Sequence, residues 1–546
     1  MADRTLDLTD KINTTKTSAA SPGPKSNRRG YLVGGGIGSL AAAAFMIRDG
    51  NMQGANITIY EAGALLGGSL DGAGNPTEGY RLRGGRMFTT DNYECTWDLF
   101  RTIPSRNDPH VTVYDETIAF NEQNKTHSLA RLVDKNCDIV DVTSMGFTMH
   151  DRYELLKVFE ADEEAMGASR ISDWLSPAFM ETPFWQMWQT TFAFQAWHSA
   201  LEFKRYLHRF MLEFARIETL AGVKRTVFNQ YDSMVRPLTE WLKAKGVQFE
   251  TGCLVTDLDI KVELAMRVFT GIRFVRAGKA EMTPVGVDDL VFVQNGSMTD
   301  ASTFGTMTQA PGQAAKDASH SWSLWEKLAQ DNPEFGRPTV FSSSIPESQW
   351  SSFTITLPNT AFFDAMQAFS GNVAGTGGLV TFKDSNWLLS IVLAHQPHFA
   401  AQPANIQVCW GYGLHPGRVG NFVAKTMLDC TGFDILNELC GHLNFDMAMF
   451  QSAHCIPCRM PYITSMFMPR RQGDRPLPVP ETSKNLAFVS QFVEIPGDVV
   501  FTVEYSIRAA MIAVYQLLKI DRPVVPIRHY EQSVRADMQA LLKAMA

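Results

Sequence analysis

The stretch "RGYLVGGGIGSLAAAAFMIRDG", residues 29–50, runs from an apolar segment through a glycine turn into a series of small residues. Residues 31–33 read as a buried strand and the alanine-rich run as a helix. Between them Gly34, Gly36, Gly38 and Ser39 form a GxGxxG-type turn with serine in the third place, where a small residue still permits close helix–strand packing. A pyrophosphate would sit at the helix N-terminus, where unpaired N–H groups point outward.

"ANITIYEAG", residues 55–63, follows after one helix and places Glu61 at the end of a second strand. That carboxylate suits the two hydroxyls of a ribose and repels a 2'-phosphate. Turn and acid together point to a dinucleotide rather than an ordinary glycine-rich loop. "LLGGSLDGAG", residues 65–74, adds a glycine pair that includes Gly68 and resembles flavoproteins, which favours FAD over NAD. "GVDDLVFVQNGS", residues 286–297, reads as a buried strand ending in a small polar turn, which puts Asn295 and Ser297 beside the cofactor. "NLAFVSQFVEIPGDVVFTVEYSIRAAMIAVYQLL", residues 485–518, gives a last strand, a loop through Thr502 and a long amphipathic helix. Such a return resembles FAD domains of the glutathione-reductase type.

The chain has 546 residues, enough for two or three domains, with a formal charge of −8, 45% hydrophobic residues and 35 Phe. The acidic balance gives no support to nucleic-acid binding. The first 28 residues are polar and lack a secretory apolar core, and the longest apolar run, "LAAAAFMI", is too short to span a bilayer. A cytoplasmic protein is expected, with peripheral membrane contact left open. Eight scattered cysteines read as reduced structural thiols, and "CIPC", Cys455 to Cys458, is a weak metal or redox signal. No metal is expected.

In "PFWQMWQTTFAFQAWHSALEFKRYLHRFMLEFARIETL", residues 183–220, Phe203, Tyr206, Leu207, Phe210 and Phe214 recur at helical spacing, with Lys204, Arg205, Arg209 and Glu213 elsewhere around the turn. Tyr206 is either a core tyrosine with a bonded hydroxyl or a proton donor beside an apolar substrate. "RTVFNQYDSMVRPLTEWL", from residue 225, presents Gln230 and Tyr231 in a polar turn before a helix. Beyond residue 330 strand-like runs such as "WSSFTITL", "NWLLSIVL" and "NIQVCWGYGL" alternate with polar turns, and the remaining charge clusters read as solvated surface.

Several segments together resemble the oleate hydratase family, also described as myosin-cross-reactive antigens: "RGGR", "DNYECTWDLF", "TTFAFQAWHSALEFKRYLHRF", "NQYDS", "QPHF", "WGYGL", "MPYITSMFMPR" and "DVVFTVEYSIRAAM". The resemblance implies an α/β protein: a Rossmann-like FAD domain (29–150, 223–310 and 481–522) interleaved with a helical cap (151–222) and a mixed, β-rich substrate domain (311–480). A flexible tail (1–28) and a C-terminal helical segment (523–546) complete it, as homodimer or monomer. It implies hydration of the cis-9 double bond of a long-chain unsaturated fatty acid, oleate to 10-hydroxystearate, with FAD required, reduced flavin promoting activity, and no net redox change. A flavin-dependent fatty-acid oxidoreductase or double-bond isomerase, and a non-catalytic flavin and fatty-acid binder, are the alternatives.

Carried over by motif, Tyr206 protonates the alkene, while Gln230 and His398 lie near the substrate carboxylate. Tyr231 is expected at the substrate too, as the donor next in line. In the loop "YRLRGGRMF", Gly85 and Arg86 are expected at the cofactor, since glycine lets backbone approach a ligand and arginine suits anions. The family's next residue is a glutamate that orients or activates water; Met87 stands there and cannot titrate, so it is expected to pack rather than to act as acid or base. Val392 and Ala394 stand where the resemblance places a threonine and an asparagine near the carboxylate. Nearby positive charge is expected to assist the Tyr206 phenol.

Overall fold

A computed structural model describes residues 27–84, 87–314, 318–530 and 533–545. Gly85 and Arg86, together with residues 1–26 of the expected tail, lie outside the described residues.

The glycine-turn segment forms the centre of a five-stranded parallel sheet in the spatial order Leu486–Phe488, Leu290–Val293, Gly30–Val33, Ile57–Glu61, Gln248–Thr251. Gly30–Val33 and Leu290–Val293 are buried at every residue, as strands covered on both faces must be. The crossover begins at Gly34, whose φ of 91° excludes most side chains and whose N–H donates to the Tyr60 carbonyl at 2.8 Å. The Ile37–Arg48 helix then packs against the Val503–Leu518 helix. A three-stranded antiparallel layer, Cys253–Glu263, Met266–Arg276 and Lys279–Pro284, meets the sheet where Tyr60 contacts Phe274 and bonds Thr283. The chain is thus α/β, with a Rossmann-type sheet at its centre.

A second sheet has seven strands in the order Thr303–Phe304, His454–Met460, Trp350–Leu357, Gln407–Gly413, Leu389–Leu393, Leu379–Phe382, Leu132–Val133. All pairings are antiparallel except the last. Its period-two pattern divides its side chains between two cores: Val408, Trp410 and Tyr412 face the main core, whereas Cys409 joins Phe353, Ile355 and the Gly432–Leu443 helix on the other side. Because both faces are covered, Trp350–Leu357 is buried throughout, including the hydroxyl residues Ser351, Ser352, Thr354 and Thr356 between its apolar ones.

Helices Pro183–Phe192, Ala200–Arg209 and Met211–Phe214 close over this arrangement through a cluster of aromatic rings. Phe192, Phe194, Phe210 and Phe467 surround Tyr206, with ring centroids 4.9–5.7 Å away.

Lys204, Arg205, Arg209 and Glu213, the charged residues around the turn from Tyr206, are all buried. Glu202 pairs with Arg470 at 2.8 Å and Arg475 at 3.0 Å, Arg205 with Glu163 and Glu494, and Arg209 with Glu94 and Asp498. Periodicity marks which residues are charged, but not whether the opposite charge comes from solvent or from a distant segment. Likewise Val503–Leu518 is buried on nearly all sides rather than amphipathic. No helix among the described residues is long and apolar enough to cross a membrane.

The closeness of the first helix to the sheet sets a limit on side-chain size. A Cβ at Gly38 would stand 2.7 Å from the Val489 carbonyl oxygen, a backbone atom that cannot swing aside. Gly38→Ala should therefore destabilise the fold by about 1–3 kcal/mol, seen as a lower urea midpoint with an unchanged slope.

Candidate functional site

The residues at the carboxyl ends of the parallel strands line a cleft of about 210 Å³ that includes Gly34, Gly36, Glu61, Gly68, Arg83 and Ser297. It continues into a second hollow of about 60 Å³ bordered by Gly38, Gly67, Gln491, Phe501 and Thr502. At their junction the Ile37–Arg48 helix starts at Gly36 with no side-chain cap and no acidic residue in its first turn. Its free N–H groups and the macrodipole favour an anion there. Glu61 is held by the N–H groups of Gly35 and Gly63, each at 2.7 Å, which orients the carboxylate at the strand end. A Cβ at Gly36 would lie 2.5 Å from Gln294 Oε1, so backbone and Gln294 close together over the turn. Gln294 itself donates to Ser39 Oγ at 3.0 Å.

Arg83 donates to the Gly68 carbonyl at 2.8 Å, the Thr299 carbonyl at 3.0 Å and Asp71 at 2.9 Å, fixing the glycine-pair loop. Asn295 is fully buried, donates to the Phe492 carbonyl and accepts from Ser490, so it ties neighbouring strand ends together. Thr502 caps the Val503–Leu518 helix by accepting from Tyr505 N–H.

Beyond Phe501 lies a cavity of about 130 Å³ whose lining includes Met87, Arg225, Gln230, Val392, Ala394 and His398. Gln230 immediately precedes the turn Tyr231–Val235, which leads into the Arg236–Ala244 helix. Its side chain is 7% exposed, yet neither its amide oxygen nor its nitrogen has a partner among the described residues. The indole N–H groups of Trp350 and Trp410 and Nδ1 of His395 are in the same condition. Buried polar atoms in native proteins are almost always satisfied, so these four side chains leave donors and acceptors open to the polar head of a ligand. Tyr231 lies half-buried against the main core, and the cavity lining runs through Gln230.

His398 is held from its backbone, its N–H donating to Gln402 and its carbonyl accepting from Asn229. Burial lowers the imidazole to about 4, against a smaller upward pull from Asp232, and His395 and Arg225 push it the same way as burial. The ring is therefore neutral at pH 7.

A third hollow, about 90 Å³, shares Met87, Thr191 and Phe501 with the 130 Å³ cavity and is lined by Tyr206, Phe210 and Glu213. The Tyr206 hydroxyl donates to the Val500 carbonyl at 2.6 Å. Burial, then Tyr93, Glu202 and Asp498, hold its pKa well above 10. The expected assistance from positive charge is thus not met, because the ionised groups that act on the phenol are carboxylates. Met87 packs at the edge of the main core, between the two hollows. Glu213 is the acidic side chain of this lining; it is bonded to Arg216, and burial raises its pKa.

Phe501 borders all three hollows with a φ of 65°, a left-handed conformation that costs a non-glycine residue about 1–3 kcal/mol. Arg225, Glu213, Phe501 and Gln294 escape the sequence reading. Their signal is positional only: Arg225 opens the quoted "RTVFNQYDS" segment, and Phe501 lies in "DVVFTVEYS".

His398 and His415, each near 4 in the folded chain, return to about 6.5 when unfolded. The unfolded state then binds more protons between those values, so stability present above pH 6.5 is lost as pH falls toward 4. Thermal melting should drop across that window, and His398→Asn should flatten part of the slope.

The MCRA family matches residues 27–515. An oleate hydratase of Streptococcus pyogenes serotype M49 (strain NZ131) is 38% identical over 508 residues, 90% of this chain and 86% of that protein. A linoleate hydratase of Lactiplantibacillus plantarum is 32% identical over 566 residues, 94% and 97% of the two. Among solved structures, an oxidoreductase from Methanosarcina mazei aligns with a TM-score of 0.50 and 11% identity, over 89% of this chain and 100% of that one. Cyclohexylamine oxidase from Brevibacterium oxydans IH-35A aligns at 0.51 and 11%, over 90% and 99%. The structural likeness is one of fold. The sequence match spans glycine turn, cap and cavity alike, and this chain belongs to the MCRA family, the oleate hydratase family that its motifs resemble.

Proposed function

We propose that this protein is an FAD-binding hydro-lyase that adds water across the cis-9 double bond of C18 unsaturated fatty acids. The observation that carries the reading is the run of adjoining hollows, from the uncapped glycine-turn helix to an apolar chamber holding the orphaned amide of Gln230 at one end and Tyr206 beyond Met87. The two hydratase relatives support it independently.

Gly34, Gly36, Gly38, Glu61, Gly68, Ser297 and Thr502 would hold FAD, and the cradle fits: its glycines leave room for backbone approach, and the helix offers free donors to a pyrophosphate. Bound there, FAD supplies shape and local electrostatics without net electron transfer.

The fatty acid lies with its head at Gln230 and His398 and its chain past Thr191, Met87 and Phe501. The Tyr206 O–H turns from the Val500 carbonyl toward one alkene carbon and gives up its proton. Water bonds to the other carbon, and its surplus proton passes to Glu213 and then back to the tyrosinate. A phenol so weakly acidic makes a free carbocation unfavourable, so proton delivery and water attack must overlap. The dry, aromatic walls around Tyr206 keep other nucleophiles out. Met87 contributes shape. Its lack of a carboxylate leaves Glu213, whose pKa burial raises, as the base facing the same hollow.

Purified protein incubated with oleic or linoleic acid and FAD in ¹⁸O-labelled water, with and without a reductant, should yield a labelled hydroxy acid. A dehydrogenated, isomerised or unlabelled product, or none with flavin and fatty acid bound, would overturn hydration. Tyr206→Phe should lower kcat by about 10²-fold or more with FAD binding intact, and Glu213→Gln should lower kcat by about 10- to 100-fold with little change in KM.

A further inference from the structure

The head-group end of the chamber contains a charge that no sequence motif announces. Arg225 is locked at its backbone: its N–H donates to Asn121 Oδ1 at 3.0 Å, and its carbonyl accepts from Asn121 Nδ2 at 2.7 Å. One arm of the guanidinium, Nη1, donates to Thr126 Oγ1 at 3.1 Å and to the Gly375 carbonyl. The other N–H groups, at Nε and Nη2, have no acceptor among the described residues, and no acidic side chain among them forms an ion pair with this arginine. Surrounded by protein, Arg225 nonetheless keeps accessible surface, because it forms part of the cavity wall. Burial lowers its pKa to about 10, with no opposing carboxylate, and so it remains a cation at neutral pH.

A guanidinium surrounded by protein without a counter-anion is a strong departure from how proteins treat charge. The carboxylate in the same wall, Asp71, is already engaged by Arg83 at 2.9 Å. His398 is neutral and lies close enough for Arg225 to depress its pKa; His395 is also lowered by burial; Gln230 is an unpartnered amide; Val392 and Ala394 are apolar. These last two stand where the family resemblance places hydrogen-bonding side chains, so the usual donors are missing just where a cation has been supplied. Leu82, Leu379 and Trp410 contribute apolar surface to the same lining. One unbalanced positive charge at the end of an apolar chamber selects a monoanionic amphiphile.

We propose that Arg225 is the ion-pair partner of the substrate carboxylate, received through its free N–H edge together with the Gln230 amide, and that it replaces the hydrogen bonds lost at Val392 and Ala394. The inference rests on the fatty-acid reading of the chamber and assigns its specificity for a free acid over an ester. A guanidinium offers two parallel N–H donors to a carboxylate, which fixes the head group and hence the distance at which the alkene meets Tyr206.

The test uses FAD-loaded full-length protein and two saturated probes that cannot be turned over, lauric acid and its methyl ester, titrated calorimetrically. For Arg225→Met the acid should bind about 10- to 100-fold more weakly while the ester changes less than about twofold; Arg225→Lys should recover part of the loss. Equal weakening for acid and ester, or none for either, overturns the inference. If Arg225→Met does not fold, Arg225→Lys alone decides, since an acid-selective loss is expected there and a uniform one is not. Wild-type protein that binds no lauric acid overturns the fatty-acid reading and this inference with it. Arg225-dependent acid binding without hydration of oleate leaves the inference standing and removes only the reaction.

Discussion

The positions of Tyr206 and Phe501 both depend on a lattice of buried ions that fastens the cap to the end of the nucleotide-binding unit. Asp498 accepts from Arg209 of the cap at 3.2 Å and from Arg508 of the last long helix at 2.8 Å. Glu94 is shared by the same two arginines, and Glu504 bonds Arg508 and the N–H groups of Cys95 and Thr96. Next to it, Arg205 and Arg470 converge on Glu494, while Arg470 and Arg475 converge on Glu202. Residues 498–502 leave this lattice, provide the carbonyl that holds the Tyr206 hydroxyl and bring Phe501 to the meeting point of the three hollows. Such pairs add little net stability compared with apolar packing, but losing one partner strands the other in a low dielectric, so they enforce one docking geometry.

That geometry divides the work of the interior by charge. The cleft at the glycine turn is built from backbone donors and one oriented carboxylate, Glu61, an arrangement suited to anionic phosphates and ribose hydroxyls. Burial holds the phenol of Tyr206 and the imidazole of His398 in their neutral forms, both uncharged at pH 7. Arg225 is the exception, and its charge lies at the end where a carboxylate would arrive.

The glycine turn, the acid at residue 61 and the strand–helix return near the C-terminus were legible because each depends on local rules: positive φ, close backbone approach and apolar periodicity act over a few residues. The second sheet was legible as strands, whereas its closure by Leu132–Val133 was not, since a two-residue strand carries no periodic signal. At the site, Gln230 and Tyr206 were singled out by motif, and the sequence also showed that residue 87 cannot titrate. It did not show that the phenol sits among carboxylates, that Glu213 faces the hollow with Met87, or that Val392 and Ala394 share a wall with an arginine.

By itself, then, the sequence determined the glycine turn, the α/β class and the family, all properties of short segments whose sterics and hydrophobic pattern are self-contained. Only the tertiary structure decided which charges are paired and which are left alone. Arg209 finds Asp498 across 289 positions of chain and Arg470 finds Glu202 across 268, whereas Arg225 finds no acid among the described residues. Whether a buried ion is satisfied depends on what folding brings within about 4 Å of it, and Coulomb energy in a low dielectric follows that distance, not separation along the chain.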